Sequence, residues 1–367
     1  MYKKIRIAGG LLLIAIWLTL SCFAWFSPAK EISESERRPL NQMPELTVST
    51  LLNGSFMTKF EDYTLDQFPL RDSFRTLKSM FHYYALQQKD NNDIYLADGH
   101  AAKLEYPLNT QSVEYAASRL QYIYQKYLEN TQCRVYLAVV PDKGYYLSEE
   151  NGYPVMDYAQ MFQTLEDRLP WATRVELTDL LTTEDYYRTD THWRQEHLVK
   201  VAARLCTAMG MTPPQEKDFT PTPLEKPFYG VYYGQAALPM KPETLNIMSS
   251  RTLNTCQVFN YESKTYGKVY DMTKLSSKDL YDVFLSGAQP LLTIENRTAK
   301  TNRELVIFRD SFGSSLAPLM VQDYKTVTLV DIRYMSPDLL GQYLKFQNQD
   351  VLFLYSTLIL NSSNSLK

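Results

Sequence analysis

Two short segments of this chain carry residue types that could act together as a nucleophile, a base and an orienting carboxylate. The first reads Arg188-Thr189-Asp190-Thr191-His192-Trp193. An Asp two residues before a His in a tight loop can turn its carboxylate onto the imidazole Nδ1. That contact fixes the tautomer and stabilises the imidazolium formed when the other nitrogen takes a proton. The competing reading is a polar loop that caps a helix starting near Gln195. The second segment is Leu305-Val306-Ile307-Phe308-Arg309-Asp310-Ser311-Phe312-Gly313. An apolar strand enters a sharp turn there and a helix begins. Ser311 therefore stands at the carboxyl end of a sheet, beside helix-start amides suited to an oxyanion. Gly313 permits the close approach such a turn requires, with Asp310 as a second turn-supporting residue. Alternatively, Ser311 is only an N-cap. The block is not a G-x-S-x-G elbow, because position 309 is Arg. Each segment alone is ambiguous; together they supply a nucleophile, a base and an orienting carboxylate.

The elements around them must hold these segments together. Helical patterns at 113–128, 161–169, 198–209, 314–324 and 337–346 alternate with short apolar strands at 135–140, 174–177, 305–308, 327–330 and 351–355. That cadence predicts an α/β fold with a mainly parallel sheet. Residues 212–297 break it, being Pro- and Tyr-rich with short alternating segments, and read as a β-rich insertion or lid. Upstream, Phe56, Phe60 and Tyr63, then Phe74, Leu77, Phe81 and Tyr84, fall at helical spacing on either side of Pro69, predicting two helices. Asp93 to Leu96 predicts a short strand ended by the turn pair Asp98-Gly99.

The N-terminus is apolar from Ile7 to Pro28, a length suited to crossing a bilayer as a helix. Lys3, Lys4 and Arg6 precede it, and Lys30, Glu31, Glu34 and Glu36 follow, which predicts an inside N-terminus and an extracytoplasmic body. A cleaved signal peptide is the rival; the run is long for one, lacks a small-x-small cleavage site, and the residues before Cys22 make a poor lipoprotein site. The expected organisation is a transmembrane signal anchor over 1–28, a stem and helical segment over 29–92, and the main domain over 93–367. Net charge is −3, so nothing favours a nucleic-acid partner. The 28 tyrosines suit sugar ligands, or simply fill core positions. Four cysteines show no paired spacing, and no H-E-x-x-H or carboxylate cluster suggests a metal; no cofactor is expected.

The motifs Thr189-Asp190-Thr191-His192-Trp193 and Arg309-Asp310-Ser311-Phe312-Gly313 together resemble the DHHW family of bacterial membrane-anchored proteins. That family is similar to the SGNH-like domains of alginate O-acetylation proteins. Phe60 to Arg71, Val140-Pro141-Asp142-Lys143, Phe228-Tyr229-Gly230 and Val330-Asp331-Ile332-Arg333-Tyr334 fit the same pattern in the same order. The chain departs from it at Thr191, where the family has His, and at Arg309, where the SGNH nucleophile block has Gly. The resemblance implies an SGNH-hydrolase-like three-layer α/β/α domain. It implies acyl transfer, with acetyl as the expected group, onto or off hydroxyls of an extracellular polysaccharide. Ser311 would attack the carbonyl, His192 would accept and return the proton, and Asp190 would orient His192. The Ser311 and Gly313 amides would be the oxyanion donors. Arg333 and Lys143 would bind an anionic sugar or serve as ion-pair members, and Trp193 would form a stacking wall or a packed support. A multi-pass membrane O-acyltransferase of the MBOAT type would be the partner that delivers acyl groups. Two further readings stay open: a non-catalytic polysaccharide-binding or assembly module, and a structural envelope protein.

Overall fold

The computed structural model describes residues 2–33 and 35–367; Met1, the flanking charge Glu34 and the Lys3 side chain lie outside the described residues. The chain forms two compact units. One comprises residues up to Asn92 with Tyr233–Pro239, the other Asp93–Tyr232 with Met240–Lys367.

In the second unit, eight strands share one sheet: β1 (Arg134–Val140), β2 (Thr173–Arg174), β3 (Gln257–Asn260), β4 (Thr265–Gly267), β5 (Leu291–Glu295), β6 (Glu304–Arg309), β7 (Thr326–Val330) and β8 (Asp350–Ser356). Their order is β4-β3-β5-β7-β6-β8-β1-β2. Strands β7, β6, β8, β1 and β2 run parallel. Strands β5, β3 and β4 extend the β7 edge antiparallel. Parallel strands covered on both faces need apolar residues at successive positions. In β6 and β8, Leu305, Ile307, Leu352 and Leu354 feed one core, and Val306, Phe308, Val351 and Phe353 feed the other.

Helices cover both faces. The helix Thr110–Ile123 starts where Asn109 accepts the Ser112 N–H. It buries Val113, Ala116, Ala117, Leu120 and Ile123, a three-and-four spacing that lays one stripe on the second core. The helix Tyr158–Arg168 joins the same core, while Val199–Ala208 covers the first through Val201, Ala202 and Leu205.

Four expectations change in detail. The strand expected at 174–177 is only β2, because the Glu176 carboxylate accepts the Leu177 and Thr178 N–H groups and turns the chain. The helix expected at 314–324 is a five-residue helix, Phe312–Leu316, followed by the 3₁₀ turn Ala317–Met320. Pro318 accounts for the break, since it cannot continue an α-helical ladder. Likewise, 337–346 holds the 3₁₀ turn Pro337–Leu339 and the short helix Leu340–Tyr343. The stretch 212–297 divides. Thr220–Phe228 pairs with Glu243–Ser249 as a separate antiparallel ladder, whereas β3, β4 and β5 belong to the main sheet. Its second half therefore extends the sheet rather than standing apart as a lid.

In the first unit, Tyr2–Phe26 is a single exposed helix, long and apolar enough to cross a membrane. The helices Ser55–Asp66 and Arg71–Met80 flank Pro69, and the second continues as a wider turn through Phe81–Ala85. The expected extended stem folds back on these helices. The Asp66 carboxylate accepts from the Arg38 guanidinium at 2.6 and 2.9 Å and from the Asn41 N–H at 2.9 Å. Arg38 is the chief reason Asp66 is held down to about 2.

Candidate active site

The Asp190–His192 loop is shaped by a narrow antiparallel closure. Tyr186 bridges Trp193, and the Tyr187 N–H donates to the His192 carbonyl at 3.1 Å. Between them the chain must reverse, and polar groups stabilise the reversal. The buried Glu243 carboxylate accepts the Arg188 and Thr189 N–H groups and the Thr189 hydroxyl, each at 2.8 Å. Thr189 Oγ1 in turn accepts the Gly230 N–H at 3.0 Å. The backbone of Gly230 lies so close that a Cβ there would sit 2.3 Å from both Asp190 Cβ and the Thr189 carbonyl oxygen. Glycine at 230 is thus a packing requirement of the loop.

On the other side, β6 delivers Ser311 to the carboxyl end of the sheet. Asp310 is fully buried; its Oδ1 accepts the Phe312 N–H at 3.0 Å and its Oδ2 the Ser356 N–H at 2.8 Å, which ties the turn to the end of β8. Ser311 has helical angles and makes no capping bond with its side chain. Its hydroxyl points instead to His192.

The three side chains form one hydrogen-bonded line. His192 Nδ1 lies 2.6 Å from Asp190 Oδ1, and His192 Nε2 lies 2.7 Å from Ser311 Oγ. Asp190 Oδ1 also accepts the His192 N–H at 3.0 Å, and its Oδ2 accepts the Val231 N–H at 2.7 Å. Asp190 is fully buried and His192 nearly so, while Ser311 is half-buried. An acceptor fixed on Nδ1 keeps that nitrogen protonated and leaves Nε2 to accept from the Ser311 hydroxyl. The His192 ring stacks on Tyr281 at 3.8 Å between centroids and 11° between planes. Burial raises the Tyr281 phenol well above its ordinary range, so it remains a neutral donor, to Ser315 Oγ at 2.7 Å.

The other sequence candidates are placed as follows. Trp193 is fully buried, donating its indole N–H to Ser315 Oγ at 2.9 Å and to the Phe312 carbonyl at 3.2 Å. It is the packed support rather than a stacking wall open to a ligand. Lys143 is also buried, and its ammonium donates to the carbonyls of Ala101, Tyr187 and Arg188. Burial pulls it down to about 7, against the opposing charges of Asp190, Glu243 and Asp142. This is an interior strut, not a sugar-binding cation. Arg333 forms a two-pronged pair with Asp331, at 2.9 and 2.6 Å. The Gly313 N–H donates to the Asp310 carbonyl at 3.2 Å, so that amide serves the turn. Among the described residues, no group of three His, Cys, Asp or Glu side chains gathers as a metal site.

Sequence reasoning missed Glu243 and Tyr281, which lie far along the chain from the residues they hold and carry no local signature. Gly230 was visible within Phe228-Tyr229-Gly230, but its contact with Asp190 was not.

The second unit is thus a mixed α/β fold with a large, mostly parallel sheet that bears a serine, a histidine and an aspartate in line at the carboxyl end of its parallel strands. Residues 176–330 match the family model described as DHHW protein, a span that includes 189–193, 228–230 and 309–313. A DHHW family protein from Eubacterium siraeum shares the fold at 23% identity with a TM-score of 0.60, covering 75% of this chain and 94% of that one. PatB1 from Bacillus cereus, solved with a sulfonyl adduct, is 19% identical with a TM-score of 0.58, covering 73% and 95%. The O-acetyltransferase domain of Pseudomonas putida AlgJ is 14% identical with a TM-score of 0.44, covering 73% and 92%. No protein with a curated description matches the sequence.

Proposed function

We propose that this protein is a membrane-anchored O-acyltransferase or esterase, acting with acetyl groups on hydroxyls of an extracellular polysaccharide. The observation that carries the proposal is the unbroken line from Asp190 through His192 to Ser311, at 2.6 and 2.7 Å. Ser311 Oγ attacks the acyl carbonyl while His192 Nε2 takes its proton; as the bond to the donor's oxygen breaks, His192 passes that proton to the departing group, leaving an acyl-serine and a neutral imidazole. The acceptor, a sugar hydroxyl or water, then gives its proton to the same nitrogen as it attacks the acyl-serine, and His192 returns that proton to Ser311 Oγ as the ester bond breaks. Asp190 holds Nδ1–H and stabilises the transient imidazolium. With the Gly313 amide engaged in the turn, the Ser311 amide is the oxyanion donor of the two expected ones. The buried positions of Trp193 and of Tyr186, Tyr187 and Tyr281 disfavour a purely sugar-binding role built on those aromatics. The basic residues before the apolar helix support a cytoplasmic N-terminus with the folded units outside. An acyl donor must then be supplied there, and a multi-pass MBOAT-type acyltransferase is the proposed partner.

The test compares the full chain in detergent with Ser311→Ala and His192→Ala, using hydrolysis of an activated acetyl ester. Each substitution is expected to lower the rate by about a thousand-fold or more while leaving the thermal midpoint near the parent value. A sulfonyl fluoride should label the parent at Ser311 and spare His192→Ala. Equal rates in all three proteins overturn the proposal. Adding an oligosaccharide acceptor then separates transfer from hydrolysis.

A further inference from the structure

The helical run 71–85 in the first unit is amphipathic the wrong way round for a water-soluble surface. Its polar face turns inward. The Arg71 and Arg75 side chains are only 19% and 18% exposed, and Ser79 is 2% exposed. Arg71 pairs with Glu36, Arg75 donates to the Gly234 carbonyl at 2.9 Å, and the Ser79 hydroxyl accepts from Asn91 at 2.7 Å. The apolar face turns outward. Leu70, Phe74, Leu77, Phe81 and Tyr84 are 67%, 44%, 63%, 56% and 56% exposed. Their spacing of four, three, four and three residues puts them in one stripe along the helix. Solvated apolar surface of this extent marks a face that something non-aqueous covers.

The chain itself indicates what covers it. The apolar helix ends at Phe26, and four residues later the Lys30 backbone is held at both ends by one side chain. Gln67 Oε1 accepts the Lys30 N–H at 2.8 Å, and Gln67 Nε2 donates to the Lys30 carbonyl at 2.8 Å. Four residues extend at most about 14 Å. Gln67 therefore stands close to where the anchor leaves the bilayer, three residues before the stripe begins. Rings continue along the same path: Trp25 lies 6.4 Å from Phe60, and Phe68 meets Phe74 edge-on at 5.5 Å. Tyr, Phe and Leu on one helix face are the residues that settle at the headgroup boundary.

We infer that the Leu70–Tyr84 stripe lies in the membrane interface as a second, in-plane contact beside the spanning helix. The first unit is thereby seated on the lipid surface rather than held away from it on a flexible stem. The inference rests on the anchor reading, and the test examines the two separately. The full chain is reconstituted in vesicles of equal parts phosphatidylcholine and phosphatidylglycerol that contain a photoreactive phosphatidylcholine, and adducts are mapped by peptide mass spectrometry. Lipid adducts are expected over both Lys4–Phe26 and 70–86. In the variant Phe74→Gln, Leu77→Gln, Phe81→Gln, adducts over 70–86 should fall about ten-fold while those over Lys4–Phe26 persist. Unchanged helicity and thermal midpoint in detergent show that this variant is folded, since the replaced side chains face outward. Adducts confined to Lys4–Phe26 in the parent overturn the inference and leave the anchor standing. Adducts absent from both overturn the two together. Cross-links joining 70–86 of two copies, with no lipid there, assign the stripe to self-association and overturn it as well.

Discussion

Gly230→Ala tests whether the Asp190–His192 loop owes its geometry to one close approach. The new methyl would stand 2.3 Å from Asp190 Cβ, 2.3 Å from the Thr189 carbonyl oxygen and 2.4 Å from Asp190 Cα. Carbon atoms in contact sit about 3.5 Å or more apart, so roughly 1 Å of movement is required. No flexible side-chain end can absorb it, because two of the three atoms are backbone. Overpacking of this kind costs about 1–3 kcal/mol. The chemical consequence should be larger than the stability cost suggests. A displacement of about 1 Å in a positioned group can lower a rate by about a hundred-fold, and Asp190 would carry His192 away from Ser311 Oγ. The assay is acetyl-ester hydrolysis beside thermal unfolding, with Gly267→Ala as the control. A methyl at Gly267 meets nothing within 4 Å, and that glycine does not have a positive φ. The expected result is a folded Gly230→Ala protein with a lower thermal midpoint and about one-hundredth of the parent rate, against an unaltered Gly267→Ala. Parental activity in Gly230→Ala would refute the reasoning, since the loop would then have accommodated the methyl without moving the histidine.

Two further outcomes follow from single contacts. Tyr281→Phe keeps the ring on His192 and loses only the donor to Ser315, so activity should stay within about ten-fold; Tyr281→Ala removes the stack, costs about 3–5 kcal/mol of stability and should cut the rate further. Equal activity in the parent and Tyr281→Ala proteins would show that the stack does not position the imidazole. His100 is buried with neither ring nitrogen hydrogen-bonded, Nε2 standing 4.0 Å from a Glu184 carboxylate oxygen, and burial pushes it down to about 4 from an ordinary 6.5. The unfolded chain therefore binds a proton that the folded chain refuses between those values. Its contribution to stability is complete above pH 6.5 and is lost as pH falls through about 4. The thermal midpoint of His100→Gln should decline less steeply than the parent's across that window, and parallel curves would count against the assignment.

What the sequence made legible was whatever is local. Asp190 and His192 are two residues apart, and Ser311 follows directly on an apolar strand, so each half of the line could be read from neighbouring residues. Their meeting across 119 residues depends on β6 and the Tyr186–Trp193 bridge, and came from the family resemblance rather than from either pattern. The central strands were legible for the same reason, because burial on both faces leaves an unbroken apolar run. The antiparallel edge was not. Strands β3 and β4 hold Asn260 and Thr265 among half-exposed and exposed positions, and such short mixed segments look alike in a lid and at a sheet edge. Lys143 stood open between a sugar-binding cation and an ion-pair member for a physical reason. Lysine is almost never fully buried, so a motif lysine reads as a surface cation, and only the three carbonyls around it reveal the strut.

The substitution of Arg309 for the glycine of the SGNH nucleophile block raises the sharpest objection to acyl chemistry, since a bulky residue beside the serine would be expected to distort the turn. The Arg309 guanidinium is directed to Asp310 and Asp331. It is wholly buried, with Nη1 3.3 Å from the Asp310 carbonyl and 3.7 Å from the Asp331 carboxylate. Burial lowers its pKa, and Asp331 opposes that shift. Room for its stem comes from Gly313, where a Cβ would fall 2.7 Å from Arg309 Cβ and 3.0 Å from Arg309 Cγ. Thr191, the other departure from the family pattern, is likewise accommodated away from Ser311, its hydroxyl meeting Tyr232 Oη at 3.1 Å. The Thr191 side chain, between Asp190 and His192 of the line, is engaged by Tyr232, and the Arg309 guanidinium by Asp310 and Asp331. The turn instead depends on Asp310, whose two oxygens hold the Phe312 and Ser356 amides, and on the vacancy at Gly313.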